Sequence, residues 1–100
     1  MTDVSLQTSF RVSDDVVFRE LDGEAVLLNL ASGIYFGLDA VGTRVWQLIE
    51  QHGRLDTVLE RMCEEYDAPA DVLQRDLLRI ASELAQKGLV VSGDAAASAR

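Results

Sequence analysis

Hydrophobic and polar positions change their period partway along the chain. Val16-Val17-Phe18-Arg19-Glu20-Leu21 is dense in β-formers and is followed by Asp22-Gly23, a pair that tolerates positive φ at both positions and marks a two-residue hairpin turn. A second strand, Glu24 to Leu30, then pairs back on the first. Ala31-Ser32-Gly33 punctuates again before a third strand, Ile34-Tyr35-Phe36-Gly37-Leu38. Connections this short make the sheet an antiparallel meander. The third strand is therefore an edge unless something covers it. Along the second strand Val26, Leu28 and Leu30 share one face, yet Ala25 and Leu27 on the other are apolar too. Both faces of the sheet thus call for some cover.

Beyond Asp39, a good N-cap, the apolar spacing becomes helical: Val41, Val45, Trp46, Leu48 and Ile49 lead to Gln51-His52-Gly53, where glycine suits the left-handed C′ position. Thr57-Val58-Leu59-Glu60 reads as a capping box opening a second helix that runs to about Tyr66. Asp67-Ala68-Pro69 interrupts it, and Pro69 fits the first turn of a third helix ending at Lys87 before Gly88. Leu73, Leu77, Ile80 and Leu84 form the core stripe of that helix, whereas Val72, Leu78, Ala81 and Ala85 widen its apolar flank. The predicted fold is α+β: a three-stranded antiparallel β-meander followed by a three-helix, winged-helix-like bundle. Residues 14–91 form the domain, and the small or polar residues of 1–13 and 92–100 are expected to be flexible termini.

Composition narrows the function. One hundred residues suffice for one core and one site, and 48% hydrophobic with 26% charged residues is a globular balance. No stretch resembles a signal peptide or membrane span, so the expected compartment is the cytoplasm, with no membrane partner. A net charge of −8, with Lys87 as the only lysine and no basic run, argues against nucleic acid as a partner. Lone Cys63 cannot make an internal disulfide and reads as a small buried or half-buried hydrophobe.

Catalytic apparatus is not visible either. His52, the sole histidine, sits where an imidazole serves the end of a helix. Glu64, Glu65 and Asp67 lack a fixed ligand spacing and read as a solvated face, so no metal is assigned. Neither a GxGxxG nor a GxxxxGK[ST] loop occurs, and no cofactor is implied. What remains is the third strand. Ile34, Tyr35, Phe36, Gly37 and Leu38 either pack the domain's own core or, as an exposed edge beside a helix with surplus apolar flank, receive an extended peptide as an added strand.

The run Val26-Leu27-Leu28-Asn29-Leu30-Ala31-Ser32-Gly33-Ile34-Tyr35-Phe36-Gly37-Leu38-Asp39, continued by Val41-Gly42-Thr43-Arg44-Val45-Trp46, resembles the PqqD-like pattern of hydrophobic strand, S-G turn, Y-F-x-L-[ND] and V-G-x-x-[IV]-W. The ending Leu84-Ala85-Gln86-Lys87-Gly88-Leu89-Val90 is similar to that family's closing L-x-x-x-G-L-[IV]. The resemblance implies a non-enzymatic recognition element for ribosomally synthesised, post-translationally modified peptides, which holds the precursor's leader against the third strand and the third helix. Carried over here, the peptide-binding residues are Ile34, Tyr35, Phe36, Gly37 and Leu38 on the strand and Arg75, Leu78, Arg79 and Ser82 on the helix. Arg75 and Arg79 would meet acidic leader residues, or else pair with Asp71 and Glu83 one turn away. Asn29–Gly33 departs from the Pro-Glu-containing segment of the pyrroloquinoline quinone members and points to a lasso-peptide-like or related pathway, with a modifying enzyme or leader peptidase as partner.

Two other readings compete. A winged-helix DNA-binding regulator would use the third helix on DNA, against the charge. A structural subunit of an enzyme complex, or a homodimer, would cover the strand edge with a partner enzyme or a second copy.

Overall fold

The computed structural model describes residues 4–93. Its elements run β1 (Phe10–Val12), β2 (Val16–Leu21), β3 (Glu24–Asn29), β4 (Ile34–Leu38), α1 (Ala40–His52), α2 (Leu55–Glu65), α3 (Ala70–Gln86) and β5 (Val90–Ser92). The meander is present in the order β2-β3-β4, antiparallel throughout. Asp22 and Gly23 take φ values of 56° and 82°, the left-handed geometry that a two-residue hairpin between right-twisted strands requires. That turn sets Leu21 opposite Glu24 and hence the register of the whole sheet.

The core lies between the inner face of this sheet and the three helices. Leu27 is fully buried and Ala25 nearly so, whereas Val26 and Leu30 are exposed. The inward set on β3 is therefore Ala25, Leu27 and Asn29, and the row Val26, Leu28, Leu30 looks outward. Alternation in the sequence is apolar on both sides and could not decide between them. The aromatic residues do: Phe18, opposite Leu27, stacks on the buried Trp46 of α1 at 6.2 Å between centroids and 7° between planes.

Chain order at the ends differs from the expected tail. The fold begins ahead of residue 14, because Phe10 is 1% exposed and β1 pairs antiparallel with β5, Phe10 opposite Ser92. The N–H of Phe10 donates to the Gly53 carbonyl at 2.9 Å, fixing β1 to the α1–α2 turn. Residues 1–3 and 94–100, where frayed ends were also expected, lie outside the described residues.

The predicted capping box is not formed. α2 starts at Leu55, two residues before Thr57, and its first free N–H groups are satisfied by the N-terminal segment: Leu55 donates to the Thr8 carbonyl and Asp56 to that of Leu6, each at 3.0 Å. The Asp56 carboxylate accepts from the Thr57 N–H at 2.7 Å. α2 buries Leu55, Val58 and Met62, which rotates the following residue, Cys63, onto the exposed side. The cysteine is thus not the half-buried hydrophobe its neighbours implied. Asp39 does cap α1, accepting from the Gly42 N–H at 2.9 Å. Leu73, Leu77, Ile80 and Leu84 are the buried stripe of α3. Beyond its end Gly88 at φ 72° turns the chain so that Leu89 and Val90 return to the core.

Candidate functional site

Hairpin geometry determines what β4 offers. Residues flanking a two-residue turn form a hydrogen-bonded pair, so Leu21 and Glu24 exchange backbone bonds and every second residue of β3 after Glu24 faces β2. The Leu30 N–H, which donates to the Asp15 carbonyl at 2.7 Å, keeps that alternation. Ala25, Leu27 and Asn29 consequently bond β4 through Leu38, Phe36 and Ile34. Tyr35 and Gly37 are left with their N–H and C=O groups pointing away from the sheet, along an edge that no described strand occupies.

Side chains alternate with respect to that edge. Ile34, Phe36 and Leu38 lie on the inner side. Leu38 is buried, Phe36 half-buried and Ile34 exposed by 59%, so the strand's grip on the core weakens towards its start. Tyr35 projects outward and is 68% exposed. The alternative that Tyr35, Phe36 and Leu38 all serve the domain's own core thus holds in full only for Leu38.

Between β4 and α3 runs a cleft with two cavities separated by Phe36. One, of about 270 Å³, is lined by Phe36, Gly37, Leu38 and Asp39 on one wall and Arg79, Ile80 and Glu83 on the other. The second, of about 260 Å³, lies between Ile34, Phe36 and Ser32 and the end of α3 at Gln86 and Lys87, with Asn29 and Leu89 at its floor. Lys87 Nζ sits 5.9 Å from the Phe36 ring centroid, a cation–π contact that spans the second cavity. Arg79 pairs with Glu83 across one helical turn at 3.6 Å, leaving both side chains substantially exposed at the cleft.

Of the helix residues named from the sequence, the structure brings only Arg79 to the lining of these cavities. Leu78 and Ser82 are each two positions from Ile80, about 200° around the helix, and Arg75 is five positions away, about 140°. Leu78 is half-buried against the core, Ser82 is half-buried and Arg75 exposed. The cleft wall is instead Ile80, Glu83, Gln86 and Lys87, offset towards β4. Only the direction in which α3 crosses the sheet reveals that flank, and spacing within one helix does not encode it.

Asn29 shapes the lower end of the site. Its Nδ2 donates to the Lys87 carbonyl at 3.1 Å, while Oδ1 accepts from the N–H groups of Ala31 at 2.9 Å and Ser32 at 3.3 Å. The turn into β4 and the end of α3 are thereby held on one side chain, which the sequence signalled only as part of a strand.

The acidic pair near the end of α2 belongs elsewhere. Glu65 accepts two bonds from the Arg44 guanidinium, at 2.7 Å from Nε and 2.6 Å from Nη2, and this contact holds its carboxyl below the usual range. Among the described residues no three His, Cys, Asp or Glu side chains converge as metal ligands, and no helix is long and apolar enough to cross a membrane.

Comparison with known proteins matches residues 24–90 to the family described as coenzyme PQQ synthesis protein D, PqqD, a span that contains the edge strand, the cleft and all three helices. The chain belongs to the PqqD family. Two solved structures share the PqqD fold seen here. TbiB1 in complex with the TbiA(β) leader peptide is 42% identical, with a TM-score of 0.75 over 80% of this chain and 93% of that one. A lasso peptide synthetase B1 complexed with the leader peptide superposes with a TM-score of 0.74 over 83% of this chain and 98% of that one, at 22% identity. No curated protein matches this PqqD-family chain.

Proposed function

We propose that the protein is a non-catalytic recognition element that binds the leader segment of a ribosomally synthesised precursor peptide and presents it to a leader peptidase or modifying enzyme in the cytoplasm. The observation that carries this reading is the free edge of β4, with Tyr35 and Gly37 offering two donors and two acceptors beside a cleft closed by α3. A leader added there becomes a fourth strand. Each backbone bond contributes a net ~1 kcal/mol irrespective of sequence, and inward side chains of the guest read the two cavities on either side of Phe36. The 42%-identical TbiB1 was solved with a leader peptide, which supports the same class of guest; the lasso-peptide-like pathway is read from the segment Asn29–Gly33. The acidity of the chain disfavours the DNA-binding alternative.

Fluorescence anisotropy with fluorescein-labelled leaders of the short precursor-like peptides encoded in the neighbourhood of the gene tests the assignment. Saturable binding at micromolar concentration or below, competed by unlabelled leader, is expected. Absence of binding by any leader encoded beside the gene would overturn it.

A further inference from the structure

Gly37 is not required by the backbone. It does not adopt the positive φ that Gly23, Gly33, Gly53, Gly88 and Gly93 do, and a Cβ built on it would meet no atom within 4 Å. Neither conformation nor crowding therefore explains a glycine in the middle of an edge strand, where it weakens strand propensity. Its lack of a side chain does have a visible result. Gly37 lies on the outer face of β4, opposite Val26 of β3; on β2 Arg19 stands opposite Val26, and Leu21 lies two positions further along, opposite Glu24. Gly37, Val26 and Leu21 line a cavity of about 390 Å³, with Glu24 and Asp39 also in its lining. Leu21 is 77% exposed and Val26 47%, and Tyr35, two positions along β4 on the same face, is 68% exposed. The floor of this notch at Gly37 is backbone, and Val26 and Leu21 give it apolar wall beside the two carboxylates.

We infer that Gly37 is a specificity determinant: the guest residue paired opposite it carries an aromatic side chain that lies flat across the glycine onto Val26. This inference rests on the leader-binding reading, since the notch is completed only when a strand occupies the β4 edge. Cross-strand partners project to the same face, so the guest residue opposite Gly37 points outward with it, beside Tyr35. From the guest strand to β3 is two strand spacings, roughly 9.6 Å, with no Cβ between them. A branched aliphatic side chain would stop above the glycine, whereas a ring spans it and reaches the methyl groups of Val26. Packing of an aromatic residue over a cross-strand glycine also restores the contact that glycine costs an edge strand. The lining carboxylates refine the choice. Asp39 is occupied in capping α1, but Glu24 is free to accept from the O–H of tyrosine or the N–H of tryptophan, and both carboxylates disfavour an acidic guest at this position.

The test is a double-mutant cycle on the full chain with the labelled leader encoded beside the gene, and with copies in which each residue in turn is replaced by alanine. With the unsubstituted protein, replacement of one particular aromatic residue is expected to weaken binding about tenfold. Gly37→Phe fills the notch from within, so in that variant the same replacement should change the affinity less than twofold, whatever its affinity for the unsubstituted leader. Val26→Ser, at an exposed position that leaves the core intact, should reduce the aromatic preference about threefold. Circular dichroism melts equal to those of the parent establish that each variant is folded. If the leader binds but no aromatic replacement shows coupling to position 37, the Gly37 assignment fails and leader binding stands. If no leader binds the parent protein, both fail together.

Discussion

The Nδ2 of Asn29 donates to the carbonyl of Lys87 at 3.1 Å, joining the last residue of β3 to the C-cap of α3, 58 positions later in the chain. Oδ1 of the same amide accepts from Ala31 and Ser32, and the residue is only 8% exposed. A single side chain thus fixes both the turn that starts β4 and the helix end facing it. Asn29→Ala removes all three bonds and should destabilise the domain by about 2 kcal/mol, lowering the melting temperature by roughly 10 °C. Asn29→Asp keeps the turn bonds but sets a carboxylate against the Lys87 carbonyl, and should be no more stable than the alanine variant. An Asn29→Asp melt matching the parent would show that the link to α3 contributes nothing.

Proline placed along β4 separates the domain's own ladder from the guest's. The N–H of Tyr35 points off the free edge, so Tyr35→Pro takes no donor from the β3–β4 ladder, a position where proline is tolerated in sheets. It does remove a donor from the proposed guest strand. The expected outcome is a folded protein whose affinity for the leader falls at least tenfold. Phe36→Pro deletes a bond to Leu27 instead and should unfold at lower urea concentration. Equal effects of the two substitutions on stability would contradict the assigned hydrogen-bond phase.

Much of this arrangement was legible in the sequence, because Asp22-Gly23, Asp39 and Gly53 act through local chemistry that needs no knowledge of the rest of the chain. The four-residue stripe of α3 was legible for the same reason. What sequence could not reveal depends on contacts between distant segments. Phe10 reads as one apolar residue in a polar stretch until β5 returns beside it, and α2 starts at Leu55 because carbonyls of Leu6 and Thr8 arrive to meet its N–H groups. The strand half of the candidate site follows from the meander, in which Tyr35 and Gly37 face the free edge while Ile34, Phe36 and Leu38 bond β3. On the helix side the core stripe, Ile80 included, was legible, but the flank facing β4 depends on a crossing angle, so of the helix residues named for the site only Arg79 lines the cavities, beside Glu83, Gln86 and Lys87.

Acid should release one clamp between helices. The Arg44 guanidinium holds the Glu65 carboxyl below its ordinary value, chiefly by hydrogen bonding, which outweighs the opposing effect of burial and is joined by a smaller contribution from charge. A depressed folded-state pKa contributes stability that is fully present above the unfolded value, about 4.3, and is lost as pH falls through the lower folded value. Both side chains are about 30% exposed, so screening limits the contribution to well under the value for a buried pair, about 0.5–1 kcal/mol. Glu65→Gln should therefore cost about that much at pH 7 and less at pH 3, as the carboxyl takes up its proton. Urea midpoints at the two pH values check it, and a cost independent of pH would mean that packing, not charge, is what the substitution removes.

The stack of Phe18 on Trp46 sets how the sheet sits on the helices, and through it the width of the β4–α3 cleft. Phe18 lies on β2, at the opposite edge of the sheet from β4, and its ring is parallel to the indole within 7°. Phe18→Leu conserves most of the buried area but loses the ring contact, a loss of about 1 kcal/mol, while Phe18→Ala adds a cavity and should cost about 3 kcal/mol. Both should diminish the near-ultraviolet circular dichroism of Trp46 and lower the urea midpoint with an unchanged m-value. Because β4 is two strands away and moves with the sheet as one twisted layer, the leucine variant should also bind the leader more weakly at temperatures where it is fully folded. An unchanged affinity in Phe18→Leu, alongside the lowered urea midpoint, would show that the cleft is set by α3 and Asn29 alone and that the aromatic stack acts on stability without reaching the site.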